Sequence, residues 1–304
     1  MFHVLCFMIL GYIGLGKMGS GMVSRLLEKG HEVVAFDPNA EAVKKISSEG
    51  AQGAGSIAEL ISFLPAPRTV WVMVPHQAVD GVLAEVAPLL ASGDTIIEGG
   101  NSPYKESIRR AKEIESKSIG FLDAGVSGGP GGARNGACVM VGGRKELFDK
   151  YEKLFRDISV ENGYGHMGKA GAGHFVKMVH NGIEYGMMQA IAEGFEVMKK
   201  SDFALDLRKV ADLYNHGSVV ESHLVEWLKE GFEKYGEDLG EISGKVSHSG
   251  EGLWTVEAAK ELGVPAPIIE GALQFRVDSQ AKPSYTGQLL SAMRNMFGGH
   301  EVKK

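Results

Sequence analysis

The sequence predicts an α/β domain with a doubly wound, mostly parallel sheet, followed by an all-helical domain. In the first half, short runs rich in Val, Ile and Phe alternate with amphipathic stretches of helical period, which is the order of βαβ units. From Ala170 onward, apolar residues recur with a helical period and no clear strand is visible. This change of pattern divides the chain near residue 165, into residues 1–165 and residues 166–304.

The first domain is predicted to alternate between strands and helices from its beginning. The predicted strands are Ile9–Ile13, Glu32–Phe36, Thr69–Val74, Thr95–Glu98, Gly120–Asp123 and Ala137–Val141. The predicted helices are Met18–Lys29, Ala40–Glu49, Ala78–Leu90, Tyr104–Lys117 and Lys145–Ile158. Because a helix that joins two strands returns the chain to the end of the sheet where the first strand began, successive strands are expected to run parallel.

The composition is that of a globular chain and excludes several classes of protein. Hydrophobic residues make up 44% and charged residues 23% of the 304 positions, which argues against disorder. The net charge of -6 lacks the basic footprint of a nucleic-acid-binding protein. No apolar run reaches the roughly 20 residues of a membrane span, and residues 1–7 lack the features of a signal peptide. Two cysteines, Cys6 and Cys138, cannot form a disulfide framework, which predicts a cytoplasmic location.

A glycine motif directly after the first predicted strand indicates a dinucleotide cofactor. Gly14, Gly16 and Gly19 have the spacing that permits a tight turn, close approach of a pyrophosphate and close helix–strand packing. Asp37 ends the second strand, where a carboxylate accepts hydrogen bonds from both ribose hydroxyls and repels a 2′-phosphate. The alternative is a glycine turn and a capping Asp in an unrelated α/β protein. The motif thus predicts a Rossmann fold that prefers NAD over NADP.

The complete set of predicted cofactor-binding residues extends from this motif to the ends of later strands. It consists of Gly14, Leu15, Gly16, Lys17, Met18, Gly19, Asp37, Val74 and Asn101. The phosphates are expected at the N-terminus of the first helix, because its N–H groups and its dipole attract anions.

Two glycine-rich loops, Gly99–Ser102 and Gly125–Pro130, follow later strands of the predicted sheet. Ligands of open α/β sheets bind beyond the carboxyl ends of the strands, where both loops are expected. Their backbone N–H groups can bind a carboxylate or a phosphate, and Asn101 and Ser127 add side-chain donors. Structural turns would explain the glycines equally well, so both interpretations stay open.

The stretch Gly171–Lys199 is predicted to be a helix that carries the chemistry. Lys177, Asn181 and Glu184 share one face of it, because four and seven residues advance by about 40° and −20° around a helix. A base, an amide and an acid suit the proton transfers of alcohol oxidation. Lys177 must be neutral to accept a proton, and burial and the positive end of the helix dipole favour that form. The alternatives are a surface Lys177–Glu184 ion pair and a metal site at His180 and Glu184, which lacks a second histidine at standard spacing; we expect no metal.

These motifs resemble those of the 6-phosphogluconate dehydrogenases, and the similarity extends over Met8–His300. Gly173–Tyr185 is similar almost letter for letter to the signature of this family, and residues 99–102 and 123–129 are similar to its substrate loops. Arg294–His300 resembles the Arg-x-x-Phe-Gly-x-His tail, which in the family reaches into the site of the partner subunit. Within the β-hydroxyacid dehydrogenase superfamily, the sequence resembles the short, NAD-preferring, decarboxylating branch.

The resemblance implies oxidative decarboxylation of 6-phospho-D-gluconate to D-ribulose 5-phosphate and CO2, with reduction of NAD. Lys177 would take the proton of the C3 hydroxyl, and Glu184 would protonate C1 of the enediol. His180 and Asn181 would complete the catalytic set. The implied substrate-binding residues are Asn101, Ser127, Gly128, Gly129, Tyr185, Thr255, Arg276, Arg294 and His300. The resemblance also implies a homodimer or a dimer of dimers, in which each tail completes the site of the other chain.

Two positions depart from the family pattern. Leu253 stands where the longer members carry a lysine, which removes a cation from the phosphate side, although Arg276, Arg294 and His300 remain. Asp37-Pro38 stands where NADP-using members carry Asn-Arg, which favours NAD.

Two other functions remain as alternatives. A dehydrogenase for a small or unphosphorylated hydroxy acid, such as gluconate or 3-hydroxyisobutyrate, is favoured by Leu253. A non-catalytic NAD-binding regulator is disfavoured by Lys177 and Glu184, because a pure binding module needs no aligned base and acid.

Overall fold

The structure, a computed structural model, describes residues 7–248 and 250–302. Its contacts divide the chain into two units, with the division between Lys177 and Met178. Residues 1–6, with Cys6 and most of the segment assessed for a signal peptide, lie outside the described residues. The sequence-based boundary near residue 165 stays a prediction, because the density of contacts and the limits of a folding domain are different properties.

The first unit is built on an eight-stranded sheet in the order β3-β2-β1-β4-β5-β6-β7-β8. The strands are β1 Ile9–Ile13, β2 Glu32–Phe36, β3 Gln52–Gly53, β4 Thr69–Val72, β5 Thr95–Glu98, β6 Gly120–Ser127, β7 Ala137–Gly143 and β8 Ser159–Gly168. Among these described strands, only the pairing of β6 with β7 is antiparallel. This confirms the predicted doubly wound, mostly parallel sheet.

Helices of this unit cover both faces of the sheet. They are α1 Lys17–Glu28, α2 Ala40–Ser48, α3 Ile57–Ser62, α4 His76–Val86, α5 Tyr104–Glu115, α6 Gly129–Asn135 and α7 Lys145–Ile158, and α8 Ala172–Lys199 begins here. Leu10 and Trp71 are buried on one face with α1 and α7, whereas Val70 and Ile96 are buried on the other with α3 and α4. Because side chains alternate between the faces, apolar strands of this kind build two cores at once.

The structure differs from the sequence-based expectation at several places in this unit. The predicted loop Gly125–Pro130 is mostly regular structure, because β6 continues to Ser127 and α6 begins at Gly129. Gly128 alone makes the turn, with a φ of 120° that favours glycine, and Pro130 fits the first turn of a helix. The elements β3, α3 and β8 were not predicted from the sequence.

The second unit consists of helices. After α8 they are α9 Leu207–Tyr214, α10 His223–Tyr235, α11 Glu251–Glu261, α12 Pro267–Ser279 and α13 Tyr285–Gly298. Their core includes Met188 and Phe195 of α8, Leu228 of α10 and Leu289 of α13. The predicted helical second domain is therefore confirmed. No helix in the described ranges is long and apolar enough to cross a membrane.

Candidate active site

The turn between β1 and α1 excludes side chains at two of its three motif glycines. Gly14 has a φ of 103°, and a Cβ there would lie 2.2 Å from the carbonyl oxygen of Met73. A Cβ at Gly19 would lie 2.0 Å from the carbonyl oxygen of Gly14. At Gly16, the N-cap of α1, a Cβ would meet no atom within 4 Å, and no side chain of the described chain caps the helix. Open space beside an uncapped helix N-terminus fits the pyrophosphate of a dinucleotide.

Replacing Gly16 with alanine is expected to preserve the fold and weaken NAD binding. Its φ of -63° suits alanine, so the melting temperature should stay close to that of the wild type. A methyl group in the path of the pyrophosphate should raise the Kd for NAD at least about tenfold, or 1.4 kcal/mol. Fluorescence titration measures the Kd. Gly81→Ala is the matched control, because a Cβ at this helix glycine also meets no atom within 4 Å. Equal Kd values for both variants would contradict the assignment.

Asp37 is fixed beside this turn. One carboxylate oxygen accepts a hydrogen bond of 2.7 Å from the Leu15 N–H, and the other accepts one of 2.8 Å from the Asn39 N–H. The side chain is half-buried at the end of β2. It thus holds a negative charge where the sequence predicts the ribose of the cofactor.

The two predicted substrate loops follow the carboxyl ends of β5 and β6, which lie side by side because these strands are parallel neighbours. Asn101, after β5, has a φ of 54° in the left-handed region. Ser127 is the last residue of β6, and Gly128 and Gly129 follow with positive φ. The amide groups of both turns therefore lie at the carboxyl ends of neighbouring strands, the usual ligand position in such sheets.

Lys177 lies in the early turns of α8, packed against β6. Its side chain is 7% exposed, which excludes the alternative of a solvated surface ion pair. A Cβ at Gly125 would lie 2.4 Å from Cβ of Lys177 and 2.9 Å from the carbonyl oxygen of Gly173. Only glycine at that strand position lets the helix approach this closely. Lys177, the predicted base, is therefore held against Gly125, which precedes Ser127 by two residues along β6.

Farther along α8, the predicted His180, Asn181 and Glu184 lie close together. Nδ1 of His180 is 2.9 Å from Oδ1 of Asn181 and 3.9 Å from Oε2 of Glu184. The side chains of His180 and Glu184 are 38% and 23% exposed, so both are accessible to a ligand. Within the described ranges, no group of three His, Cys, Asp or Glu side chains could hold a metal ion.

Two buried arginines mark the predicted phosphate end. Arg276 of α12 is 1% exposed and stacks on Tyr185, with Cζ 3.5 Å from the ring centroid. Arg294 of α13 is 7% exposed, and its Nη1 donates a 3.1 Å hydrogen bond to Oγ of Ser247. Burial lowers the pKa of Arg276 to about 10 and also lowers the pKa of Arg294, but both stay cationic at neutral pH. The carboxylates of Glu184 and Glu251 attract both arginines, and an anion bound beside the two cations would stabilise them further.

The expected role of Arg294 in the site of the partner subunit stays a prediction. It lies inside α13, which continues to Gly298, and its charge lowers the pKa of Arg276 in the same chain. The described end of the chain also returns to its own unit, since the N–H of Ser243 donates to the carbonyl of Val302. Within its own chain Arg294 is thus near Arg276, and the subunit whose phosphate it would bind stays a prediction.

The remaining predicted residues have other surroundings. Thr255 of α11 is buried, and its hydroxyl is 2.7 Å from the carbonyl oxygen of Met178 and 2.8 Å from that of Glu251. Leu253 is 38% exposed. His300 is exposed after α13, and its carbonyl accepts a 2.7 Å hydrogen bond from Asn295.

Comparisons with known proteins show which family this chain is similar to. The NAD-binding domain of 6-phosphogluconate dehydrogenase matches residues 9–168, and the C-terminal domain of that enzyme matches residues 173–286. YqeC of Bacillus subtilis, provisionally named a 6-phosphogluconate dehydrogenase, is 50% identical over 98% of this chain and 100% of its own length. The NAD(+)-dependent, decarboxylating 6-phosphogluconate dehydrogenase of Haloferax volcanii is 44% identical over 98% of this chain and 99% of its own. The solved 6-phosphogluconate dehydrogenase of Plasmodium falciparum superposes with a TM-score of 0.81 at 33% identity, over 90% of this chain and 62% of that one.

Proposed function

Because the chain belongs to the 6-phosphogluconate dehydrogenase family, a family of oxidoreductases, we propose that it oxidises and decarboxylates 6-phospho-D-gluconate with NAD. The products are D-ribulose 5-phosphate and CO2. The observation that carries this proposal is the pair of buried arginines, Arg276 and Arg294, which Glu184 and Glu251 attract. Two buried guanidinium groups favour a substrate with a phosphate, because charge-assisted hydrogen bonds to it offset the cost of burying the cations.

The bound nicotinamide supplies one function, which is to accept the hydride that leaves C3 of the substrate. Gly14, Gly16 and Gly19 shape the turn that would hold its pyrophosphate, and Asp37 would bind its ribose. The open space at Gly16 and the fixed carboxylate of Asp37 support this assignment.

In this proposal Lys177 takes the proton of the C3 hydroxyl while the C3 hydride departs. The resulting 3-keto acid loses C1 as CO2. The electron pair of the broken C1–C2 bond, with a proton that Lys177 returns to the C3 oxygen, forms the enediol. Glu184 then donates a proton to the former C2, which becomes C1 of the product, while Lys177 takes back the enediol proton. Asn181 and His180 hold the reacting oxygen atoms, and the amides that follow Ser127 bind the carboxylate. Each residue acts by general acid–base chemistry or by hydrogen bonding.

The proposal is tested by initial rates with 6-phosphogluconate and with gluconate, each measured with NAD and with NADP. We expect the highest kcat/KM with 6-phosphogluconate and NAD. Leu253 favours a second candidate, a dehydrogenase for an unphosphorylated acid, and a higher kcat/KM with gluconate would establish it instead. NAD binding without turnover of any hydroxy acid would support the regulator.

Cofactor preference is expected to depend on Asp37 and Pro38. The Haloferax relative is named as NAD(+)-dependent, whereas the Plasmodium structure is described with NADP+. Asp37→Ser combined with Pro38→Arg should remove the repulsion of the 2′-phosphate and add a cation that pairs with it. The ratio of kcat/KM for NADP to that for NAD should rise at least about tenfold, or 1.4 kcal/mol. Pro38→Arg alone is the control, because Asp37 stays in place. A wild-type enzyme that prefers NADP would refute the assignment.

The assembly as a homodimer or a dimer of dimers and the cytoplasmic location stay predictions. The short helical unit supports an assembly, because helices of a second chain would add packing that the longer family members supply internally.

A further inference from the structure

A buried polar network joins the carboxyl end of β5 to the first turn of α8. Its central residues are Glu98, Asp123 and His174, and each of them is at most 1% exposed. Ser107 and Arg110, on α5, are buried beside them. So many buried polar and ionisable groups in one place are costly unless they pair, and the proposed reaction uses none of them directly.

Glu98 holds the loop that carries Asn101. Its Oε1 accepts a 2.8 Å hydrogen bond from the Gly100 N–H and a 3.1 Å hydrogen bond from the hydroxyl of Ser102. These contacts flank Asn101, whose backbone is in the left-handed region, which asparagine adopts more readily than most residues other than glycine. The side chain of Glu98 therefore stabilises the conformation that presents Asn101.

The second oxygen of Glu98 is directed to the helix side of the network. Oε2 lies 3.5 Å from Nη1 of Arg110 and 3.6 Å from Nδ1 of His174, and it has no hydrogen bond in the described structure. Nδ1 of His174 is also 2.7 Å from Oγ of Ser107. The Gly100 N–H and the Ser102 hydroxyl both donate to Oε1, so the loop uses only one oxygen of Glu98. The loop alone therefore does not explain why the second oxygen is buried and faces His174.

Asp123 fixes the helix that carries Lys177. Although it belongs to β6, it caps the N-terminus of α8, because its two oxygens accept hydrogen bonds of 2.6 Å from the Gly171 N–H and 2.9 Å from the His174 N–H. A carboxylate is favourable at a helix N-terminus. Lys177 follows His174 by three residues, one turn along the same side of the helix.

We propose that Glu98 and His174 are a pair of positioning residues that keep the Asn101 loop and the base Lys177 in a fixed relation. Glu98 sets the loop, His174 belongs to the turn from which Lys177 projects, and Ser107 of α5 contacts the imidazole of His174. This inference rests on the proposed function, because it assigns Lys177 and Asn101 to the reaction.

The test compares Glu98→Gln and Ser107→Ala with the wild-type chain. Glu98→Gln keeps an acceptor for the Gly100 N–H but directs a neutral amide at His174. Ser107→Ala removes the hydroxyl that contacts the imidazole of His174 and leaves the contacts between Glu98 and the loop in place. Both should lower kcat for 6-phosphogluconate about 10- to 100-fold, because small misplacements of a catalytic group are costly. The isotope effect with substrate deuterated at C3 should also rise, since hydride transfer becomes slower relative to the other steps.

Asp94→Asn is the matched control, because Asp94 is a buried carboxylate at the other end of β5. It accepts hydrogen bonds from the N–H groups of Arg68 and Ala91, far along the strand from the loop. This variant should lose stability while its kcat and isotope effect stay at wild-type values. If Glu98→Gln and Ser107→Ala change only the melting temperature, as Asp94→Asn does, Glu98 and His174 are structural residues and the inference fails.

Hydrogen exchange separates this inference from the proposed function. Without substrate, Glu98→Ala, which removes both oxygens, should accelerate exchange of the amides at Gly100 and at His174 together, whereas Asp94→Asn should affect neither. If the wild type does not turn over 6-phosphogluconate, the proposed function fails and the exchange result still decides whether the loop and the helix are coupled. Faster exchange at Gly100 alone would overturn the coupling.

Discussion

Replacing Lys177 with methionine is expected to reduce the rate of hydride transfer from 6-phosphogluconate to NAD by about 10²–10⁴-fold, or roughly 3–5 kcal/mol in the barrier. The alcohol loses the group that accepts its proton, and no solvent base readily replaces a side chain that is 7% exposed. Methionine fills a similar volume against Gly125, so the fold should survive. Single-turnover formation of NADH, followed by absorbance, measures the effect on the chemical step.

Lys199→Met is the matched control, because Lys199 is the last residue of the same helix and pairs with Asp238 at the surface. It should react at the wild-type rate. Glu184→Gln should impair turnover and leave NAD binding nearly intact, since Glu184 acts after hydride transfer. A Lys177→Met enzyme that keeps most of its activity would remove this residue from the chemistry.

Replacing Arg276 with methionine is expected to separate the phosphorylated substrate from the unphosphorylated one. A hydrogen bond between charged groups contributes about 1.5–3 kcal/mol, so kcat/KM for 6-phosphogluconate should fall roughly 10- to 150-fold. The value for gluconate should change little. The free energy of unfolding should change little, because the variant no longer buries a charge or repels Arg294 but also loses the attraction of Glu184 and Glu251.

Arg208→Met is the control for this prediction, because Arg208 lies on α9 with a side chain that is 46% exposed. Parallel kinetics on both substrates and thermal unfolding of each variant decide the outcome. An equal loss of kcat/KM for 6-phosphogluconate and gluconate would show that Arg276 supports the structure and does not recognise a phosphate.

The sheet was largely predictable from the sequence, because most of its strands are apolar runs buried on both faces. β1, β2 and β5 have the predicted bounds, and the glycine turn after β1 follows from spacing alone. β8 escaped prediction because Ser159–Gly168 mixes glycine with polar residues and is mostly not buried. Its pairing with β7, and not its own side chains, makes it a strand.

The candidate site was predictable only where function concentrates in a short motif. The helix with Lys177 and Glu184 could be recognised from one run of sequence, and the roles of these residues stay predictions. The contacts among Glu98, Asp123 and His174 join residues far apart in the chain, so no local pattern reports them. A charged residue at the end of an otherwise apolar strand was the one available signal for Glu98 and Asp123.

The sheet also restricts how copies of this chain can associate. One edge is β3, which is only two residues long, so it offers very few backbone groups to a strand from another molecule. The other edge is β8, whose pairing with β7 has register shifts and which includes Asn162 in a left-handed conformation. Such irregular edges are poor templates for the continuous strand addition that leads to fibrillar aggregates. Ordered assembly of this chain is therefore expected to use its helices and not its strands.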